Sequence, residues 1–282
     1  MTSTILIEIA GVALVVFALR EMFHDIFHPT QSGGLSELVG CMISGALRHT
    51  RLRPSVGPLA LVSVIFAWVV VVTFGFTLIY FPLIPGQISG EATSSGAGAQ
   101  LLHSLAWSFG ALSFRMFDMH VSPNGLKLVV ALEGLIGIAM ITASVSWLVL
   151  LFPALERTRF LVRKTFALVR AKQTSHTKIE SDWLVTDMAD RVIQARIDLV
   201  LFPILLNFYS VDPSQTLARA LPHLQQIADE ELGGDSSPQL RFAATYLREA
   251  LLDFCRMLSD RILSAEPEST EAAFRSFIAL TD

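Results

Sequence analysis

The chain has 282 residues, 52% of them hydrophobic and 16% charged, and its mean hydropathy is +0.54. A soluble domain usually carries about 25% charged residues, so a single soluble domain over the whole length is excluded. Charge is also divided: residues 1–172 hold 12 Lys/Arg against 8 Asp/Glu, and residues 173–282 hold 9 against 17.

That division predicts a membrane half followed by an acidic soluble half. The acidic half argues against a nucleic-acid partner, which would select a basic face. Cys41 and Cys255 are too far apart for a CxxC pair and too few for a disulfide framework.

The first predicted element runs from Thr4 to about Phe23, interrupted by Glu8 and closed by Arg20 and Glu21. It lacks a basic n-region and an A-x-A cleavage site, so it reads as a retained anchor. Glu21, His24, Asp25 and His28 cluster at its inner end. His24 and His28 share a helix face at i and i+4, a spacing that can hold a metal. The plainer reading is a polar collar at the membrane surface, ended by Pro29.

The next element, Gly57 to Phe81, is 25 residues of nearly unbroken apolar sequence. At 1.5 Å per residue it exceeds the roughly 30 Å hydrocarbon core. A further run, Leu128 to Leu155, contains Glu133 as its single charge and also reads as a span. Orientation follows Lys and Arg. Arg20, Arg48, Arg51 and Arg53 lie between the first two spans, and Arg157, Arg159, Arg163, Lys164, Arg170 and Lys172 follow the third. Three spans with the N-terminus outside and the C-terminal domain in the cytoplasm satisfy these positions, and both thiols then face a reducing compartment.

Between the second and third spans, Pro85 to Gly98 is rich in Gly, Ser and Pro and predicts a flexible turret. Gln100 to Leu112 is uncharged and helix-compatible, too short to cross a bilayer and too apolar to lie in water. A re-entrant half-helix fits that stretch. Ser113, Phe114, Arg115, Met116, Phe117 and Asp118 follow it, and Ser122-Pro123 precedes the last span.

Two adjoining stretches, WSFGALSFRMFDMHVSP and LKLVVALEGLIGIAMITASVSWLVLLFPAL, together resemble the pore region of bacterial potassium-channel-family proteins. FHDIFHP at Phe23 to Pro29 and LVLFPILLNFYS near Pro203 resemble a three-span subgroup of that family. The resemblance implies an all-α membrane protein with a pore-loop transmembrane domain and a cytoplasmic helical domain. Residues 1–56 would form an anchor and a cytoplasmic interfacial segment. The pore domain would be 57–155, with outer helix 57–82, pore helix 100–112, filter-like turn 113–118 and inner helix 126–155. Residues 156–282 would be the cytoplasmic domain. It further implies a homotetramer in the bacterial inner membrane, surrounded by lipid, that passes monovalent cations, chiefly potassium.

The filter departs from the family pattern T-x-G-Y-G-D. Ser113 takes the threonine position and Asp118 the aspartate, but Arg115 and Phe117 replace the glycines and Met116 the tyrosine. A potassium filter replaces the ion's water with rings of backbone carbonyls. Glycine reaches the required backbone angles freely, and other residues reach them with strain. Three readings of Arg115 stand. It turns from the axis and pairs with Glu133 or Asp118, it forms a ring that favours anions, or the chain conducts only beside a related channel subunit.

Glu133 is a filter support or a neutralising partner, since charges at membrane depth pair. Gly137 falls where the resemblance places a gating hinge, and close helix packing explains it equally well. Trp107 would pack beside the filter, as aromatic cuffs do in the family.

In the acidic half, Asp212-Pro213 reads as a helix start closed by Gly233-Gly234, and Ser237-Pro238 opens the next helix. In that helix Leu240, Ala244, Leu247, Leu251, Phe254, Leu258 and Arg261 recur at four- and three-residue steps, predicting one apolar face for a bundle or a coiled-coil seam. Pro203 is expected to kink the helix that begins near Asp182. Asp229, Glu230, Glu231 and Asp235 lack EF-hand spacing and read as a solvated helix end. The chain has no Walker A, G-x-G-x-x-G, HExxH or serine-elbow motif, so neither an enzyme nor a cofactor is expected. A non-conducting membrane scaffold or sensor that keeps the channel shape is the alternative reading.

Overall fold

The computed structural model describes residues 2–27, 34–47, 56–83, 88–89, 96–113, 120–121, 124–177, 179–208, 215–234, 236–261 and 269–281. Among them the chain is helical, apart from a two-residue antiparallel ladder that pairs Ile88 with Val121 and Ser89 with His120. The helices are α1 (Thr2–Phe27), α2 (Gly34–Leu47), α3 (Val56–Tyr80), α4 (Ala97–Leu112), α5 (Asn124–Ser175), α6 (Asp182–Leu201), α7 (Leu217–Gly233), α8 (Pro238–Arg261) and α9 (Thr270–Thr281). Short 3₁₀ turns follow α3 at Phe81–Leu83 and α6 at Pro203–Asn207.

Among the described residues, two helical stretches, Val56–Leu83 and Gly125–Ser175, are long and apolar enough to cross a membrane. A helix in the core of a soluble protein buries its apolar residues, yet only 22% of the most apolar α5 window is buried. Leu128, Leu132, Leu135, Ile138, Ile141, Val145 and Val149 stand exposed along it, a larger continuous apolar surface than water tolerates.

The chain divides into two compact units, Met1–Met42 with Leu61–Val149, and Ile43–Ala60 with Leu150–Asp282. In the first, α1 crosses α3 where Gly11 faces Gly75. A β-carbon on Gly11 would lie 2.6 Å from the Gly75 carbonyl oxygen, so only the missing side chain permits that approach. Gly11, Val15, Ala18 and Met22 are buried at steps of four and three, while Ile5, Leu6, Ile9, Val12, Val16 and Phe17 remain exposed.

The second unit is a helical bundle built on the C-terminal part of α5. Arg157 pairs with Asp198 and Lys164 with Asp187, which sets α6 antiparallel to α5. Tyr246 donates to Asp190, and Arg196 pairs with Asp253, so α8 runs parallel to α6. Lys172 pairs with Glu230, and Phe166 meets His223 edge-on at 5.5 Å, placing α7 alongside α5. Apart from Arg157–Asp198, whose carboxylate is buried, these part-exposed ion pairs set register more than stability. The energy lies in the core between them, where Met188, Leu221, Leu224, Leu247, Phe254, Phe274 and Phe277 are fully buried.

The expected face of α8 is buried at Leu240, Ala244, Leu247, Leu251, Phe254 and Leu258. It packs on α6, α7 and α9 of its own chain. Ser237 caps it, its hydroxyl accepting from the Leu240 amide at 3.2 Å.

Four sequence expectations need revision. The inner helix does not stop at 155, because α5 continues without interruption to Ser175, with Pro153 inside it. Pro203 does not kink α6 but ends it, since α6 closes at Leu201 and Pro203 opens the 3₁₀ turn. The next helix starts at Leu217, where the Thr216 hydroxyl accepts from the Arg219 amide, whereas Asp212-Pro213 lies outside the described residues. Glu231 is not solvated. It is 3% exposed and accepts from the Ser236 hydroxyl, whereas Asp229 and Glu230 are exposed as expected, Glu230 pairing with Lys172 and Gln226, and Asp235 lies outside the described residues.

Cys255 sits in the bundle core as a free thiol, and burial pushes its pKa up to about 12. The thiolate is the reactive form. In a Cys41→Ser background at pH 8, maleimide should therefore label Cys255 at least about tenfold more slowly in the folded protein than after denaturation. Equal rates, read by mass spectrometry, would contradict the burial.

Candidate functional site

In the first unit, α4 lies between α3 and α5, and three polar contacts fix its position. Near its start, the Gln100 side-chain amide donates to the Phe81 carbonyl at 2.7 Å. Two turns on, Ser108 Oγ lies 3.1 Å from the Thr73 carbonyl and 2.5 Å from Glu133 Oε1, one hydroxyl proton facing two acceptors. Tyr80 Oη completes the cluster by donating to Glu133 Oε2 at 2.7 Å. Both carboxyl oxygens thus have partners, as the interior requires, since Glu133, Tyr80 and Ser108 are all 0% exposed.

These contacts also give the direction of α4. Gln100 meets Phe81 and Ser108 meets Thr73, so α4 runs antiparallel to α3, back along its length. Ser108 meets Glu133 and Leu112 meets Gly137, so α4 runs parallel to α5. Its last residue therefore lies beside the fourteenth residue of α5, whose first is Asn124. At 1.5 Å per residue the chain must travel back about 20 Å to begin α5. Eleven residues, 113–123, make that return, and extended chain at ~3.3 Å per residue has ample reach.

The packing at the C-terminal end of α4 is tight. A β-carbon on Gly137 would fall well inside the van der Waals contact distance of the Leu112 carbonyl oxygen, and 3.3 Å from the carbonyl carbon. Ser113 closes α4, its backbone amide donating to the Phe109 carbonyl at 3.1 Å. Trp107 is 7% exposed, and its ring meets Tyr80 edge-on at 6.4 Å. Trp68 and Trp147 join α3 to α5 with ring centroids 5.7 Å apart.

Of the residues singled out in the sequence, Trp107, Glu133, Gly137 and Ser113 come together around α4. Phe114, Arg115, Met116, Phe117 and Asp118 lie outside the described residues, as does His28. His24 lies in the last turn of α1. Among the described residues, no group of three or more His, Cys, Asp or Glu is placed to hold a metal. Sequence reasoning missed Tyr80, Ser108, Thr73 and Gln100. A buried glutamate calls for donors, but nothing local in sequence marks a tyrosine 53 positions away.

Chemically, the cluster is a polar fastening in an apolar setting. Its hydroxyls and carboxylate are spent on one another and each of the three side chains is sealed from solvent. Its effect is to hold α4 in one register against α3 and α5. At the C-terminus of α4 the negative end of the helix dipole favours positive charge. No family model, curated protein or solved structure matches the chain.

Proposed function

We propose that the chain is a pore-loop channel subunit on the potassium-channel plan, set in a bacterial inner membrane as a homotetramer. What supports this reading is the packing of α4, a helix too short to cross lipid that is held between α3 and α5, with Gln100 near its start at Phe81 and its C-terminus beside Gly137. Backbone that turns at membrane depth persists only around protein or water. The exposed apolar side of α1 suits it to be a third span. The Lys and Arg positions favour an outside N-terminus and a cytoplasmic bundle.

Monovalent cations are the proposed cargo, with weak discrimination between potassium and sodium, because SFRMFD holds no glycine at the filter position. Purified protein in planar bilayers should give unitary currents in symmetric KCl, with a reversal potential that shifts little on replacing potassium by sodium. A protein that is tetrameric by native mass spectrometry yet electrically silent would overturn conduction.

The second reading is a membrane scaffold or sensor that keeps the channel shape. The same glycine-free filter sequence favours it. Co-expression with a related subunit bearing an intact filter separates a regulatory subunit from a scaffold: currents altered by this chain support the former.

A further inference from the structure

The end of α6 holds the feet of α3 and α5 together. Asp198 lies in the last turn of α6 and is 1% exposed. A carboxylate there is disfavoured twice, by burial and by the negative end of its own helix. Arg157 answers both. Its Nε donates to Asp198 Oδ2 at 2.9 Å and its Nη2 to Oδ1 at 2.7 Å, with the Gln194 amide adding a bond to Oδ1 at 3.0 Å. Arg157 stands two residues beyond Leu155, where the apolar run of α5 ends.

From Asp198 the chain continues as a hydrogen-bonded link. The Phe202 amide donates to the Asp198 carbonyl, Leu205 to Phe202, and Phe208 to Leu205, at 2.8, 3.0 and 3.1 Å. Pro203 stiffens it. The link delivers the Phe208 ring onto Gly57, in the first turn of α3. A β-carbon on Gly57 would lie 2.5–2.7 Å from three ring carbons, so the ring sits on bare backbone. Val56 and Ala60 beside it are wholly buried, although α3 is otherwise exposed on its apolar outer face.

We propose that the segment from Asp198 to Phe208 is the joint through which the α6–α9 bundle regulates the pore. It grips α5 at Arg157 and α3 at Gly57, so a rearrangement of the bundle shifts the feet of both helices as one. The regulatory part rests on the channel reading; the joint itself does not.

The test uses the full chain in nanodiscs and in planar bilayers. Phe208→Ala should raise amide exchange at residues 57–61 by about tenfold, while the α8 core amides 244–254 stay protected. Gly57→Ala should do the same alone but add nothing to Phe208→Ala, because the obstructing ring is gone. Asp198→Asn should free residues 154–161 in the same way. In bilayers the variants should alter open probability and leave unitary conductance unchanged. Unchanged exchange at 57–61 in both Phe208→Ala and Gly57→Ala overturns the joint. Altered exchange with an unaltered open probability overturns regulation. A silent wild-type protein that keeps the exchange response overturns the channel reading, and with it regulation of a pore, and leaves the joint standing. Should Asp198→Asn fail to fold, the Phe208 and Gly57 variants decide the outcome.

Discussion

Gly137→Val should destabilise the protein by about 3 kcal/mol or more, at the upper end of what overpacking costs. The obstacle is the Leu112 carbonyl, part of the backbone at the end of α4, which cannot swing aside as a side-chain tip would. Either α4 moves away from α5 or the β-carbon overlaps that oxygen. Gly137→Ala should cost about 1–3 kcal/mol by the same contact. Denaturant unfolding of the purified protein, followed by tryptophan fluorescence, reads both. The outcome separates packing from hinging. A glycine needed only as a hinge tolerates alanine in the folded helix, which gains from it, so the alanine variant would then be no less stable than wild type.

The second large effect centres on Glu133. Glu133→Ala removes the acceptor for two buried hydroxyls, Tyr80 Oη and Ser108 Oγ. Each donor left unpaired in a dry interior costs about 1–3 kcal/mol. Ser108 can fall back on the Thr73 carbonyl at 3.1 Å, so most of the loss should come from Tyr80. Glu133→Gln keeps one acceptor oxygen and should cost less. Replacing the cluster together, as Glu133→Leu with Tyr80→Phe and Ser108→Ala, should recover much of the lost stability, since no polar group is then orphaned. Unfolding free energies should rank the alanine variant lowest, then glutamine, with the triple variant nearest wild type. A triple variant as unstable as Glu133→Ala would show that the carboxylate has a further partner. Arg115 is the one the sequence suggests, and if the proposed tetramer forms, a fall in its melting temperature with Glu133→Gln is then expected as well.

The parts of this fold that were legible in the sequence are those set by local pattern. Six apolar positions in α8 recur at helical spacing, and all six are buried, because a single amphipathic face has one way to satisfy itself. Gly57 to Phe81 was legible for a similar reason: an unbroken apolar run leaves little choice of structure. Helix ends were harder. Asp212-Pro213 carries a strong start signal, yet Thr216 supplies the cap, since capping depends on where the bundle needs the helix to begin. Pro203 terminates α6 rather than kinking it because the chain turns there into a 3₁₀ segment that carries Phe208 to Gly57, a tertiary contact with no local signature. The candidate site was legible in its odd residue, Glu133, and not in its partners. Tyr80 and Ser108 look like ordinary members of apolar helices until tertiary packing brings them to one point.

The length of α5 has a consequence for biogenesis. Residues 150–175 are synthesised before α6, α7, α8 and α9, yet they supply one wall of the bundle through Leu155, Leu161, Val162 and Thr165. The later helices thus condense on a strut that has already left the ribosome. A recombinant fragment beginning after Ser175 would carry an open seam in place of that wall and would be prone to aggregate, whereas one beginning near Leu150 would bring its own template.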